Sequence, residues 1–243
     1  AERLRNYESD VIITAAYGKI LPGEVLRIPS LGCINVHASL LPKYRGAAPI
    51  WRAIINGEKK SGVTTMFMDE GIDTGDIILS KEIKIPDDMN VGVLYGILAE
   101  EGAVLLEETL KRLKAGNLKQ IPQDNGNATY APIITKEDGR INWSKDAFDV
   151  HNLVRGMDPW PGAYTFLHGE MLKIWNITVE SADGKYGVPG EIYESSGGVL
   201  KVACGNGSVK LNEIQGIASK RMKVADYVNG HKVTAGSMFS FTH

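Results

Sequence analysis

Along the first half of the chain, short β-branched runs alternate with stretches whose apolar residues recur every three or four positions, the pattern of strands covered by helices. Val11 to Ala16, Gly32 to His37, Gly62 to Met68 and Ile77 to Ile83 predict four strands. A helix over Ala48 to Asn56 opens near Pro49, where a missing N–H is harmless, and closes at Gly57. A longer helix from about Asn90 to Lys114 sets Leu94, Leu98, Leu105, Leu106, Leu110 and Leu113 near one face and stops at Gly116. The expectation is an α/β fold on a Rossmann-like parallel sheet.

The pattern then changes. From Asn117 to about Thr135 the chain is polar, carries Pro122, Gly126 and Pro132, and reads as a linker. Beyond it, Ala163 to Phe166, Met171 to Val179, Gly190 to Tyr193, Val199 to Cys204 and Ser208 to Ile214 alternate with turn signals such as Asp183-Gly184 and Asn206-Gly207. These predict a small OB-like β-barrel, preceded by one helix over about Ser144 to Gly156. The expected division is residues 1–117, a linker over 118–136, and a barrel over 137–243.

Composition narrows the class. With 243 residues, 43% hydrophobic and 23% charged, the chain can bury a core and is not a disordered or low-complexity protein. No apolar run approaches the roughly 18 residues of a membrane span. Cys33 and Cys204 lie far apart in sequence and form neither a disulfide framework nor a metal-ligand spacing, as suits a reducing, cytoplasmic setting. A net charge of -2 argues against a uniformly basic nucleic-acid binder and leaves room for a local basic patch.

Chemistry concentrates in two segments. In Gly32-Cys33-Ile34-Asn35-Val36-His37, residues two apart share a face, so Asn35 and His37 point together while Ile34 and Val36 pack on the other side. An amide donor beside an imidazole can stabilise an oxyanion and move a proton. The plainer alternative is that Asn35 satisfies a turn and His37 is a core histidine. In Met68-Asp69-Glu70-Gly71-Ile72-Asp73-Thr74-Gly75-Asp76, glycines permit a tight loop and a carboxylate can serve the histidine. An acidic surface loop or a cation loop is the alternative, although the spacing lacks the D-x-D-x-D-G pattern of a calcium loop.

The run from Asn35 to Arg45, with Gly46-Ala47-Ala48-Pro49-Ile50 and Gly71-Ile72-Asp73-Thr74-Gly75-Asp76, resembles the folate-dependent formyltransferases. The resemblance extends through Ala15 to Pro22, Ala128 to Ala131, Gly139 to Trp143, Pro159 to Tyr164, Leu172 to Trp175 and Lys220 to Met222, and these later motifs favour the branch acting on methionyl-tRNA. It implies catalytic roles for Asn35, His37 and Asp73. Tetrahydrofolate is implied at Ser39, Leu40, Leu41 and Pro42, and at a loop carrying Tyr17, Gly18 and Ile20. It further implies transfer of formyl from 10-formyltetrahydrofolate, as co-substrate and without a metal, to methionine on initiator tRNA. The expected enzyme is a monomer in the bacterial cytoplasm. Two alternatives stay open: a formyltransferase or formyl-folate hydrolase with another acceptor, and an inactive RNA-binding fragment. The family's opening strands and the loop near the tRNA acceptor end are not found ahead of Val11, so a partial catalytic sheet is expected.

Of the remaining candidates, Ser219-Lys220-Arg221-Met222-Lys223 is a basic cluster that is either a phosphate contact or a solvated face. Pro159 to Gly162 reads as a rigid corner, and Met66 and Met68 read as core.

Overall fold

The structure is a computed structural model and describes residues 1–240. The chain divides into two compact units. The first takes in residues 1–53, 58–87 and 93–133, and the second residues 54–57, 88–92 and 134 onward.

In the first unit the short helix α1 (Glu2–Arg5) leads to strand β1 (Ile12–Ala15) and, after the one-turn helix α2 (Gly23–Leu26), to β2 (Cys33–His37). Helix α3 (Pro49–Ile55) precedes β3 (Lys60–Phe67) and β4 (Ile77–Lys84), and α4 runs from Val91 to Lys114. The sheet order is β1-β2-β3-β4. Only β1 and β2 pair in parallel; β2–β3 and β3–β4 are antiparallel, so the expected parallel sheet is a mixed one. The reason lies in the connections. The segment carrying α3 leaves β2 beyond His37 and re-enters the sheet from the same end, since the last residue of β2, His37, pairs with Thr64 and the first residues of β3, from Lys60, lie beyond it. The connection between β3 and β4 is too short for the dozen or more residues that a parallel crossover needs.

Of the six leucines expected on one face of helix α4, Leu94 and Leu98 are buried and the other four half-buried, and Gly102 and Thr109 continue the buried seam. A Cβ on Gly102 would stand 3.2 Å from Val36 of β2 and 3.5 Å from Val63 of β3, so the missing side chain is what lets the helix lie close to the sheet. Thr109 is fully buried because its hydroxyl pairs with that of Thr65 at 2.8 Å. Val36 and the wholly buried Ile34 thus occupy one face of β2, which leaves Asn35 and His37 to the other.

In the second unit a 3-10 turn (Glu137–Gly139) precedes α5 (Ala147–Met157), which packs on β6, and the rest is mostly antiparallel sheet. Its strands are β5 (Ala163–Leu167), β6 (Glu170–Ser181), β7 (Ile192–Ser196), β8 (Val199–Ala203), β9 (Ser208–Gln215), β10 (Met222–Lys223) and β11 (Phe239–Ser240). The helix α6 (Val224–Gly230) lies between the last two. The order is β11-β5-β6-β9-β8-β7, with β10 added beside β9. The sheet curls until its edges meet: Ile192 N–H donates to the Ser237 carbonyl and Phe239 N–H to the Gly190 carbonyl, at 2.9 and 2.8 Å. Inside lie Ile174, Ile192, Leu200, Val202, Leu211 and Ile214, and Trp143 stacks on Phe239 with its indole N–H on the Thr165 hydroxyl.

Candidate active site

Asn35 sits mid-strand on β2, between Thr14 of β1 and Met66 of β3. The Thr14 hydroxyl donates to Asn35 Oδ1 at 2.8 Å. With its oxygen held there, the amide turns its NH2 group outward, and Nδ2 lies 3.4 Å from Asp73 Oδ1. His37 ends the same strand and is only 6% exposed. Its Nε2 is 2.9 Å from the Tyr44 carbonyl, an acceptor only, so that nitrogen carries a proton. Its Nδ1 faces Asp73 Oδ2 at 3.5 Å.

Asp73 reaches both residues because the connection 68–76 folds back over the polar face of β2. Met68 N–H donates to the Cys33 carbonyl and Phe67 N–H to the Asp76 carbonyl. Gly75 lies against the Phe67 carbonyl, where any Cβ would collide. Asp69 Oδ1 closes the turn by accepting from Gly71 N–H and the Thr74 hydroxyl. Asp73 itself adopts the left-handed conformation, φ +52°, which an aspartate visits more readily than most residues but still at a cost. Its carboxylate, 17% exposed, also accepts from Gly46 N–H at 2.8 Å.

The turn after β2 supplies that N–H. Gly46 has φ +114°, and a Cβ would stand 2.9 Å from the Ala131 carbonyl. Tyr44 donates its hydroxyl to Glu58 and its N–H to the Thr129 hydroxyl, which fixes the carbonyl that meets His37. Arg45 is 2% exposed, and its guanidinium donates to Gln123 and Asn125.

The structure therefore brings Asn35, His37 and Asp73 together. The other expected residues lie on the turn after β2 and on the loop after β1. Ser39 and Leu41 are buried; the Ser39 hydroxyl donates to the Lys43 carbonyl at 2.6 Å and the Thr64 hydroxyl to the Ser39 carbonyl, so this segment, with Leu40 over Gly62, builds the turn. Tyr17 and Ile20, with Gly18 between them, are 57% and 64% exposed on the loop after β1. Cys33, two residues before Asn35, is buried, and desolvation pushes its thiol up. Thr14, Arg45 and Gln123 were not singled out as site residues by the sequence pattern. An alternating strand position would have pointed to Thr14, whereas nothing local marks Gln123.

An acid, an amide donor and an imidazole converge on one sheet face, an arrangement able to stabilise an oxyanion and move a proton. Residues 1–110 match the formyl transferase family model and residues 133–232 that family's C-terminal domain, and the chain belongs to the formyl transferase family. It is 53% identical over 235 residues to a methionyl-tRNA formyltransferase of Acetivibrio thermocellus, covering 97% of this chain and 76% of the relative. It is 49% identical over 236 residues to the same enzyme of Ruminiclostridium cellulolyticum, with the same coverage. Among solved structures the fold is shared with HypX from Aquifex aeolicus in complex with tetrahydrofolic acid, at 22% identity, TM-score 0.68, and 93% and 40% coverage of the two chains. It is shared equally with the sugar 3N-formyl transferase WlaRD, at 22% identity, TM-score 0.67, and 89% and 77% coverage.

Proposed function

We propose that this chain transfers the formyl group of 10-formyltetrahydrofolate to the α-amine of methionine on initiator tRNA, the step that prepares this tRNA for translation initiation in the bacterial cytoplasm. The observation that carries the reading is the convergence of Asn35, His37 and Asp73 in a chain 53% identical to a methionyl-tRNA formyltransferase.

The geometry suits the chemistry. Attack of the amine nitrogen on the formyl carbon places negative charge on the formyl oxygen. One Nδ2 proton of Asn35 lies toward Asp73, and the other is the donor for that oxygen. Collapse breaks the bond to N10, which leaves as an amine and takes a proton, while the attacking nitrogen gives one up. His37 relays the proton at Nδ1, with Asp73 orienting the ring from that side and Tyr44 from the other. The exposed Tyr17 and Ile20, with Gly18, supply apolar faces for the flat pteridine, and Ser39 to Pro42 hold the turn that presents Tyr44 and Gly46.

Residues 1–117 are the proposed catalytic part. The curled sheet, read as an OB-like barrel, is the proposed tRNA-binding part, with exposed Lys220 and Lys223 as phosphate contacts. Arg221 is tied by Asp158 and Glu213 and lies over Trp175 at 5.2 Å, so its role there is structural.

Single alanine substitutions test the assignment. Asn35→Ala is expected to slow transfer by about 10² to 10³, and His37→Ala and Asp73→Ala by about 10² to 10⁴, with cooperative unfolding retained. A variant that unfolds normally and turns over at the wild-type rate removes its residue from the mechanism.

A further inference from the structure

We propose that Gln123 is a positioning residue that holds the Asp73 loop in its working conformation, locked in turn by Arg45; the proposal rests on the reading of Asp73 given above. Gln123 Nε2 donates to the Asp73 carbonyl at 2.9 Å and to the Gly75 carbonyl at 2.7 Å, so both amide protons hold the loop on either side of Thr74. The loop needs such a hold because Asp73 is left-handed and its carboxylate must serve Asn35, His37 and Gly46 at once.

An amide holds two carbonyls only if it cannot flip, and Arg45 prevents the flip. Its Nε and Nη2 donate to Gln123 Oε1 at 3.0 and 2.8 Å. Turned over, the amide would set its NH2 against the guanidinium and its oxygen against two carbonyl oxygens. Arg45 is itself fixed: Nη2 donates to Asn125 at 2.9 Å, and its backbone is bonded on both sides, to the Thr129 carbonyl and from Ala131 N–H. A buried guanidinium with its donors directed at a neutral amide is an expensive arrangement for packing alone. It is explained if the amide must offer donors on its far side, which a carboxylate at this position would not.

Gln123→Glu separates the two functions, since it keeps an acceptor for Arg45 and removes both donations to the loop; Gln123→Met removes everything. Formyl transfer kinetics and hydrogen exchange of the Gly46 amide are measured for these variants beside wild type and Asp73→Ala. Gln123→Glu is expected to unfold cooperatively and to lose up to about 100-fold in kcat through misplacement of Asp73. Its KM for methionyl-tRNA stays close to wild type. Its Gly46 amide exchanges faster, approaching the rate in Asp73→Ala, because the carboxylate acceptor has moved. Gln123→Met shows the same kinetic loss with a lower unfolding temperature. Wild-type kcat in Gln123→Glu, a kcat loss with Gly46 still protected, or global unfolding of both variants would overturn the proposal. A fully active Asp73→Ala would instead refute the role of Asp73, and the Gly46 exchange would still decide whether Gln123 holds the loop.

Discussion

Asn35, His37 and Asp73 each owe their usefulness to a neighbour that fixes one end of the side chain. Thr14 takes the oxygen of Asn35, the Tyr44 carbonyl takes one nitrogen of His37, and Gly46 N–H takes one oxygen of Asp73. That leaves Asn35 Nδ2 and His37 Nδ1 toward the site, where both meet the Asp73 carboxylate. Elsewhere burial silences a group instead. Cys204 is fully buried, and desolvation, with the charge of Asp146, pushes its thiol up to about 12. A folded-state value above the unfolded one means that the neutral thiol stabilises the fold below the unfolded value, and that this contribution is lost as pH rises toward 12. We therefore expect Cys204 to resist alkylation at pH 8 until the protein is denatured. We also expect Cys204→Ala to flatten the fall in unfolding temperature between about pH 9 and 12. Rapid modification of the folded protein, or an unchanged alkaline slope, would contradict this.

At the scale of elements, the connection between β3 and β4 is the part on which the site depends. Gly75 lets it fold back, because the Phe67 carbonyl occupies the space a side chain would need. Gly75→Ala is expected to destabilise the protein by about 1–3 kcal/mol through overpacking and to lower transfer further than the stability loss alone explains. Thermal unfolding and kcat together check this, and a variant matching wild type in both would contradict it. Much of this element was legible in sequence and part was not. The period-two alternation in Cys33 to His37 placed Asn35 and His37 on one face, and the structure has them so. The same hydrophobic runs carry no sign of strand direction, which is why a parallel sheet was expected where β3 and β4 run antiparallel. Among the acidic residues of 69–76, spacing could not choose the one that meets His37. The choice depends on a left-handed residue at the apex, and only the family resemblance singled out Asp73. Gln123 lay hidden because it works across 50 positions from a stretch with no periodicity. Helix α6 and the two-residue strands β10 and β11 are too short to leave a periodic trace.

On the scale of the whole molecule, the chain carries a net charge of -2, so any attraction to tRNA has to come from local patches. In the second unit, Lys220 and Lys223 are exposed while Arg221 is paired with Asp158 and Glu213. We expect Lys220→Glu with Lys223→Glu to weaken tRNA binding and to reduce the slope of log affinity against log salt by about two. Arg221→Ala should mainly lower the unfolding temperature. Unchanged salt dependence in the double variant would move the tRNA contact elsewhere. The central claim is tested most directly by incubating the protein with 10-formyltetrahydrofolate and methionine-charged initiator tRNA and measuring formyl-methionyl-tRNA, with His37→Ala alongside. Formation of formyl-methionyl-tRNA by the wild type and its loss in His37→Ala is the predicted result. Consumption of the donor without formyl-methionine, or transfer that persists without His37, would contradict it.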